Sequence, residues 1–294
     1  MARSLTCAAL LLAVALPVTA ADDAYTIKLY KDKEGDVTKK TTVKKTEGTV
    51  SFAVGDMKGN EKQKGKEEVV YTEEILKWPA DAKRATKFSR TYEKVDKTSD
   101  RGEEVKSFLA GKTVVVDRSK DKPAFTVDGK PPTDDQQKEL DAEFGEEKSD
   151  FDKHDMLPGK PVKVGDTWTL DKKKVLAALG EKTKFGFDEE KSSFTGKLVK
   201  AAMKDGALHG TIEFNLKFAL TDFPLGPNMA AATEAGSVMT IKASIDCCLD
   251  GTVAGEKSDI TMTMLVKAKL PMDGKLEIDS TVSGTETEVP VKKK

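Results

Sequence analysis

The chain has 294 residues, 34% of them charged, 38% apolar and 6% aromatic, with 49 Lys and Arg against 50 Asp and Glu. A net charge of −1 excludes a general nucleic-acid binder, which needs a basic excess to displace counterions. Two His and three Cys leave little material for a His/Cys metal site, and no uncharged run beyond the N-terminus is long enough for a membrane helix.

Arg3 gives the chain a positive start, residues 5–18 are uncharged and rich in Leu and Ala, and Val18-Thr19-Ala20 fits a small-x-small cleavage site. The expectation is a signal peptide over 1–20 and an exported chain over 21–294, periplasmic or extracellular, with no transmembrane segment after cleavage. Cys7 lies early in the apolar run and not at its end, which argues against a lipid-anchored cysteine.

Tyr25, Ile27 and Leu29 share one face of an expected opening strand. Val50-Phe52-Val54, Val69-Tyr71, Phe88-Tyr92, Val114-Val116 and Phe125-Val127 supply further strands, with turns expected at Gly35-Asp36, Glu47-Gly48, Gly59-Asn60, Ala110-Gly111 and Asp128-Gly129. Lys and Thr over 38–46 suit outward or edge positions. Thr133 and Gln136 form a capping-box pattern opening a helix over 133–145, with Leu140 and Phe144 on one face and Gly145 at its end. A second helix is expected over 171–179, capped by Asp171 and ended by Gly180.

The second half alternates strongly. Ile212, Phe214, Leu216, Phe218 and Leu220 form one series; Met239, Ile241, Ala243, Ile245, Cys247 and Leu249 form another. Ile260, Met262, Met264, Val266, Ala268 and Leu270 form a third, and Leu276, Ile278 and Val282 a fourth. Asp205-Gly206, Asp250-Gly251 and Asp273-Gly274 punctuate them, so the pattern predicts successive antiparallel strands of about ten residues with one apolar face. Residues 223–236 are apolar and helix-capable, and are expected to lie as a lid over the open end of a sheet.

Between the halves runs Leu157-Pro158-Gly159-Lys160-Pro161-Val162-Lys163-Val164-Gly165-Asp166-Thr167-Trp168. The prolines stiffen an extended lead-in, Gly165-Asp166 makes a tight turn, and Trp168 is expected to anchor that turn in the core. The stretch resembles the Pro-rich Val-x-Val-Gly-Asp-x-Trp segment of uncharacterised exported bacterial β-rich proteins, a domain of unknown function. That resemblance implies an envelope-associated β protein and carries no activity with it. A fainter, architectural likeness is to periplasmic lipid and lipoprotein carriers built on a curved antiparallel sheet.

Catalytic signatures are sparse. No Gly-x-Ser-x-Gly elbow occurs, and His154 and His209 are the two possible imidazole bases. His209 reads as a surface side chain in a turn. A thiol–imidazole pair between it and Cys247 or Cys248 is allowed by spacing, but a mid-strand Cys lacks an activating environment. The adjacent Cys247 and Cys248 point to opposite faces of a strand, so one buried and one exposed thiol is the plain expectation, with a vicinal or intermolecular disulfide as the alternative. Gly111-Lys112-Thr113 lacks the upstream Gly of a phosphate loop. The oxygen-rich run Asp150-Phe151-Asp152-Lys153-His154-Asp155 fails the EF-hand spacing, leaving an adventitious Ca²⁺ site as its sharper reading. Interspersed Lys and Glu with five Arg read as a solubilising coat.

The fold expected is therefore mainly β: long antiparallel strands in one strongly curved sheet or a two-sheet sandwich or half-barrel, with two short helices, as one domain or two sub-halves meeting near 150–170. No cofactor, metal or catalytic residue is assigned. The function expected is a non-catalytic structural or interaction role in the cell envelope, with an envelope protein as partner. The alternative is a carrier of a lipid, acyl chain or lipidated partner, a hydrophobic ligand held in a groove of Phe214, Phe218, Met239, Ile241, Met262 and Met264. An alternating strand face more often packs a closed core than lines a groove.

Overall fold

A computed structural model describes residues 23–120, 122–145, 152–226 and 229–292. The expected signal peptide lies outside the described residues. Among the described residues, thirteen antiparallel strands join one open, curved sheet, and two helices pack on it. It is a single sheet and not a sandwich.

The strands are β1 (Val37–Val54), β2 (Met57–Lys77), β3 (Lys87–Thr98), β4 (Glu104–Val105), β5 (Thr113–Asp117), β6 (Ala124–Val127) and β7 (Thr167–Thr169). After these come β8 (Gly186–Lys204), β9 (Ala207–Gly226), β10 (Met229–Ala232), β11 (Val238–Cys248), β12 (Glu256–Leu270) and β13 (Gly274–Pro290). Their spatial order is β6-β5-β3-β2-β1-β13-β12-β11-β9-β8-β7, with β10 beside β9 and β4 beside β3. The helices are α1 (Asp134–Phe144) and α2 (Lys172–Thr183).

Several strands are about twice the expected length. The alternation in β9, β11, β12 and β13 continues past the apolar residues into Thr, Ser, Lys and Glu, which pair as readily by backbone. Glu47-Gly48 and Gly59-Asn60, expected as turns, lie inside β1 and β2; the chain reverses once, at Gly55, where φ is +58°. Residues 38–46 are not an edge: β1 pairs with β2 on one side and β13 on the other. Tyr25 and Lys28 make isolated bridges to Val162 and Asp250, so the opening segment is a strap and not a strand.

The expected lid over 223–236 is not helical. Its described parts extend β9 to Gly226 and return as β10, Ala231 facing Phe223 and Ala232 facing Asp222. Ladder bonds satisfy those backbone groups better than an isolated short helix would. In α1 the Gln136 amide donates to the Thr133 hydroxyl at 3.4 Å, and the Gln136 side chain accepts from the Thr133 amide at 3.0 Å. Helix α2 passes Gly180 and ends at Lys184, whose left-handed backbone (φ +58°) sends its N–H to the Gly180 carbonyl.

The sheet's inner face carries two apolar cores. The larger gathers Phe194, Leu198, Ile212, Phe214, Phe218, Met239, Leu249 and Val266 under α2 and the strap residues Ile27 and Leu29. The smaller gathers Phe88, Tyr92, Leu109, Val114 and Val116 under Leu140 and Phe144 of α1. One sheet serves both.

Trp168 sits where β7 meets β8. Its ring lies on Gly196, where an added Cβ would come 2.4 Å from it, and edge-on to Phe214 with centroids 6.2 Å apart. The indole N–H donates to the Met156 carbonyl at 2.8 Å. The preceding turn is held by Gly165 (φ +94°), whose N–H donates to Leu198, and by the Asp166 carboxylate, which accepts from the Lys163 amide. Trp168→Ala should destabilise the fold by about 3–5 kcal/mol in urea unfolding. A loss below about 1 kcal/mol would remove Trp168 from the core account.

Candidate functional site on the inner face

The strand registers bring all six groove residues to one face. Met239 stands opposite Phe218 and Met264, and Ile241 opposite Leu216 and Met262. They do not share one environment. Phe214, Phe218 and Met239 are 3%, 1% and 1% exposed, with Phe218 in ring contact with Phe187 and Phe194. Ile241, Met262 and Met264 are half-buried at the margin of the same core.

Followed across the sheet, each inner row changes character. Phe214 and Ala243 lead through Ile260 and Gly284 to Lys44 and Glu67. Gly210 and Cys247 lead through Glu256 and Glu288 to Lys40, Tyr71 and Tyr92. The strip between the two cores is therefore a seam of charge.

Lys40 is its centre. The Lys40 ammonium lies 2.7 Å from Glu288 of β13 and 3.4 Å from Glu73 of β2, all three side chains under one-fifth exposed. Arg90 donates to Glu73 at 2.7 Å and lies over the rings of Tyr71, Phe88 and Phe144 at 4.6–5.2 Å. Glu143 of α1 stands 3.8 Å from that guanidinium and 3.9 Å from Lys97, which meets Glu67 at 3.1 Å. Lys153 closes the other end on Glu256 at 2.5 Å.

Burial opposes every charge in the seam, and the neighbours decide the balance. Burial lowers the Lys40 pKa, but Glu73 and Glu288 overcome that and hold it above the ordinary lysine value. Burial raises the Glu73 carboxyl, and Arg90 and Lys40 more than reverse it, leaving it below the usual range. Glu286 is raised by burial and by its neighbour Glu288, against the weaker pull of Lys40. Asp32 is raised chiefly by burial. Burial pushes the Tyr71 phenol to about 12 despite Arg90. Among the described residues, the buried Tyr92 hydroxyl meets no hydrogen-bond partner.

A pocket of about 450 Å³ opens at the Lys153 end, lined by Asp32, Trp78, Lys83, Asp152, His154 and Asp155 among others. Two of its three aspartates, Asp152 and Asp155, are engaged in local structure. Asp152 accepts from the amides of His154 and Asp155, and Asp155 accepts from the Asp152 amide, capping the short 3-10 turn Lys153–Met156. Asp150 and Phe151 lie outside the described residues. Among those described, no group of three or more His, Cys, Asp or Glu forms a metal-ligand set.

Cys247 and Cys248 are free thiols and both are buried, which corrects the expectation of one exposed sulfur. Cys247 faces the larger core, where burial pushes its thiol up to about 12. Cys248 points the other way and is covered by the turn that follows, its sulfur donating to Asp250 at 2.9 Å. His209 is half-buried within β9 rather than in a turn, directly opposite Cys248 in register. The Cys248 hydrogen bond goes to Asp250, whose carboxyl it holds far below the usual range.

Sequence reasoning missed the seam because it counted Lys and Glu as coat. A faint signal existed: Lys40, Thr42 and Lys44 alternate in phase, as do Glu286 and Glu288.

No known protein family and no curated protein matches this chain. Among solved structures it is similar to the crystal structure of an outer membrane channel from Pseudomonas putida F1, at 7% identity over 90% of this chain and 98% of that one. The TM-score is 0.20, too low to carry an argument about fold or role.

Glu286 supplies a pH test. Its folded pKa is raised, so the folded state keeps the proton to a higher pH than the unfolded chain does. Stability is lost as pH rises from the unfolded carboxyl value, near 4.5, through the raised folded one. Glu286→Gln removes that loss. The variant should melt above the wild type at pH 7 and level with it near pH 4; a lower melting temperature at pH 7 would contradict the assignment.

Proposed function

We propose that the protein is a non-catalytic module of the cell envelope, exported through its N-terminal segment and acting through its surface in a structural or interaction role. One observation carries the reading. Phe214, Phe218 and Met239, the deepest residues of the expected groove, are at most 3% exposed beneath α2 and the strap. The adjoining strip is occupied by ion pairs rather than by an open reactive group.

The chemistry within that strip supports the same reading. Glu73 and Lys40 are each held in the charged form by two partners, which stabilises ions instead of poising them for proton transfer at neutral pH. At the β8 end of the sheet β7 pairs with Thr195, Gly196 and Lys197 alone, so much of the 19-residue β8 has no ladder partner on that side among the described residues, and an envelope partner would meet that edge or a face of the sheet.

A second reading, the lipid or acyl-chain carrier, has its own observation. Ile260 is 42% exposed on the inner face, opposite Gly284, while Met264 faces Ser280 and Ser280 faces Gly48. Small residues on β13 and β1 leave the margin of the larger core partly open. Intact-mass analysis of the exported protein under native conditions separates the two. The envelope-module reading expects an N-terminus at Ala21 and no adduct. An acyl lipid retained at one equivalent would favour the carrier, and an intact Met1 would remove export.

A further inference from the structure

One end of the sheet presents an apolar fringe that none of the contacts above uses. The β1–β2 and β12–β13 turns lie side by side there, because β1 pairs with β13 in register up to Ala53 and Lys275. A Cβ added at Gly274 would come 2.8 Å from Val54. Projecting from these turns, Met57 is 65% exposed and Met272 79%, while Phe52, 44% exposed, lies further back in β1 with its ring over Gly59. Met229, 54% exposed, opens β10 at the same end, which is tied to β12 by the Thr233–Ala268 bridge. Large apolar side chains at adjacent tips are an uncommon use of turns, which ordinarily carry polar residues.

Immediately behind the tips stands a row of lysines. Lys269 is directly opposite Lys275, Lys275 opposite Ala53, and Ala53 opposite Lys58. Like charges directly opposite in an antiparallel pair are destabilising. The seam lysines Lys40, Lys44 and Lys97 each meet a carboxylate. Among the described residues, Lys58, Lys269 and Lys275 have no ion pair, and all three are exposed. The turns also hold one carboxylate each, Asp56 and Asp273, at the tips rather than in the row.

We propose that this end docks on an anionic phospholipid surface, with Met57 and Met272 entering the interfacial region and the lysine row meeting lipid phosphates. The depth order fits: apolar tips lead, and ammonium groups on long stems follow at headgroup level. Three lysines against the two tip carboxylates leave this end with a cationic excess, which favours an anionic surface. A second copy of the chain is a poor occupant, because a two-fold contact would set the lysine row against itself. The inference is independent of whether the inner face carries a ligand, so the two readings fail separately.

Flotation with vesicles of phosphatidylcholine and phosphatidylglycerol in equal parts tests it. The wild type should float with them and stay behind with phosphatidylcholine alone. The set Lys58→Gln, Lys269→Gln and Lys275→Gln should bind at least about tenfold more weakly, without disturbing packing. So should the pair Met57→Ser and Met272→Ser, with its fold checked by circular dichroism. Met203→Ser, altering a residue 68% exposed at the opposite end of the sheet, should bind as the wild type does. A wild type that does not float, equal binding to both vesicle types, or a lysine set that floats unchanged would overturn the proposal.

Discussion

Lys40 joins three strands with one ammonium group. It stands on β1 between Glu73 of β2 and Glu288 of β13, where the sheet passes from one apolar core to the other. The constraint behind it is general. A long antiparallel strand has an inner face along its whole length, and each stretch of that face must be covered by apolar matter or carry charges that are matched. Here α1 covers one flank, and α2 with the strap covers the other. Neither lays apolar side chains over the middle, which α1 reaches through the Glu143 carboxylate, so the middle is built from ions.

That division explains the lengths of the strands and the roles of the covering elements. Strands β1, β2, β12 and β13 extend beyond either core because backbone pairing continues where side-chain burial stops. Ion pairs of this kind add specificity more than net stability, since desolvation consumes much of the attraction. They also fix register. A one-residue slip of β1 against β13 would move Lys40 to the outer face and leave Glu288 buried with its nearest cation gone. Glu286 shows the cost of the arrangement: it lies in the same strip as Glu288, and burial keeps its carboxyl reluctant to ionise.

Much of the fold was legible in the sequence. The four alternating series of the second half appear as β9, β11, β12 and β13, and the Thr133–Gln136 capping box opens α1. The misreadings have physical reasons. Gly48 and Gly59 resemble turn residues, but they are needed inside strands: a Cβ at Gly59 would enter the Phe52 ring, and one at Gly48 would meet the Ser280 backbone. Residues 223–236 have helical composition, yet neighbouring strands offer ladder bonds that a short helix cannot match. Cys248 looked outward by alternation, but the turn through Asp250 folds back over it. The seam was hidden because charged residues on the inner and outer faces have the same composition; register alone tells Lys40 from Lys39, whose partner Glu93 is nearly half exposed. The lysine row at the sheet's end was hidden for the same reason, since Lys58, Lys269 and Lys275 are scattered in sequence and meet only through pairing.

The most direct test compares the stability of Lys40→Met with that of Lys39→Met in urea. Lys40→Met strands Glu73 and Glu288 near each other without their shared cation and should cost about 3 kcal/mol. Lys39→Met removes a surface pair and should cost less than about 1 kcal/mol. Equal, small losses at both positions would contradict the view that matched charge closes the strip between the cores.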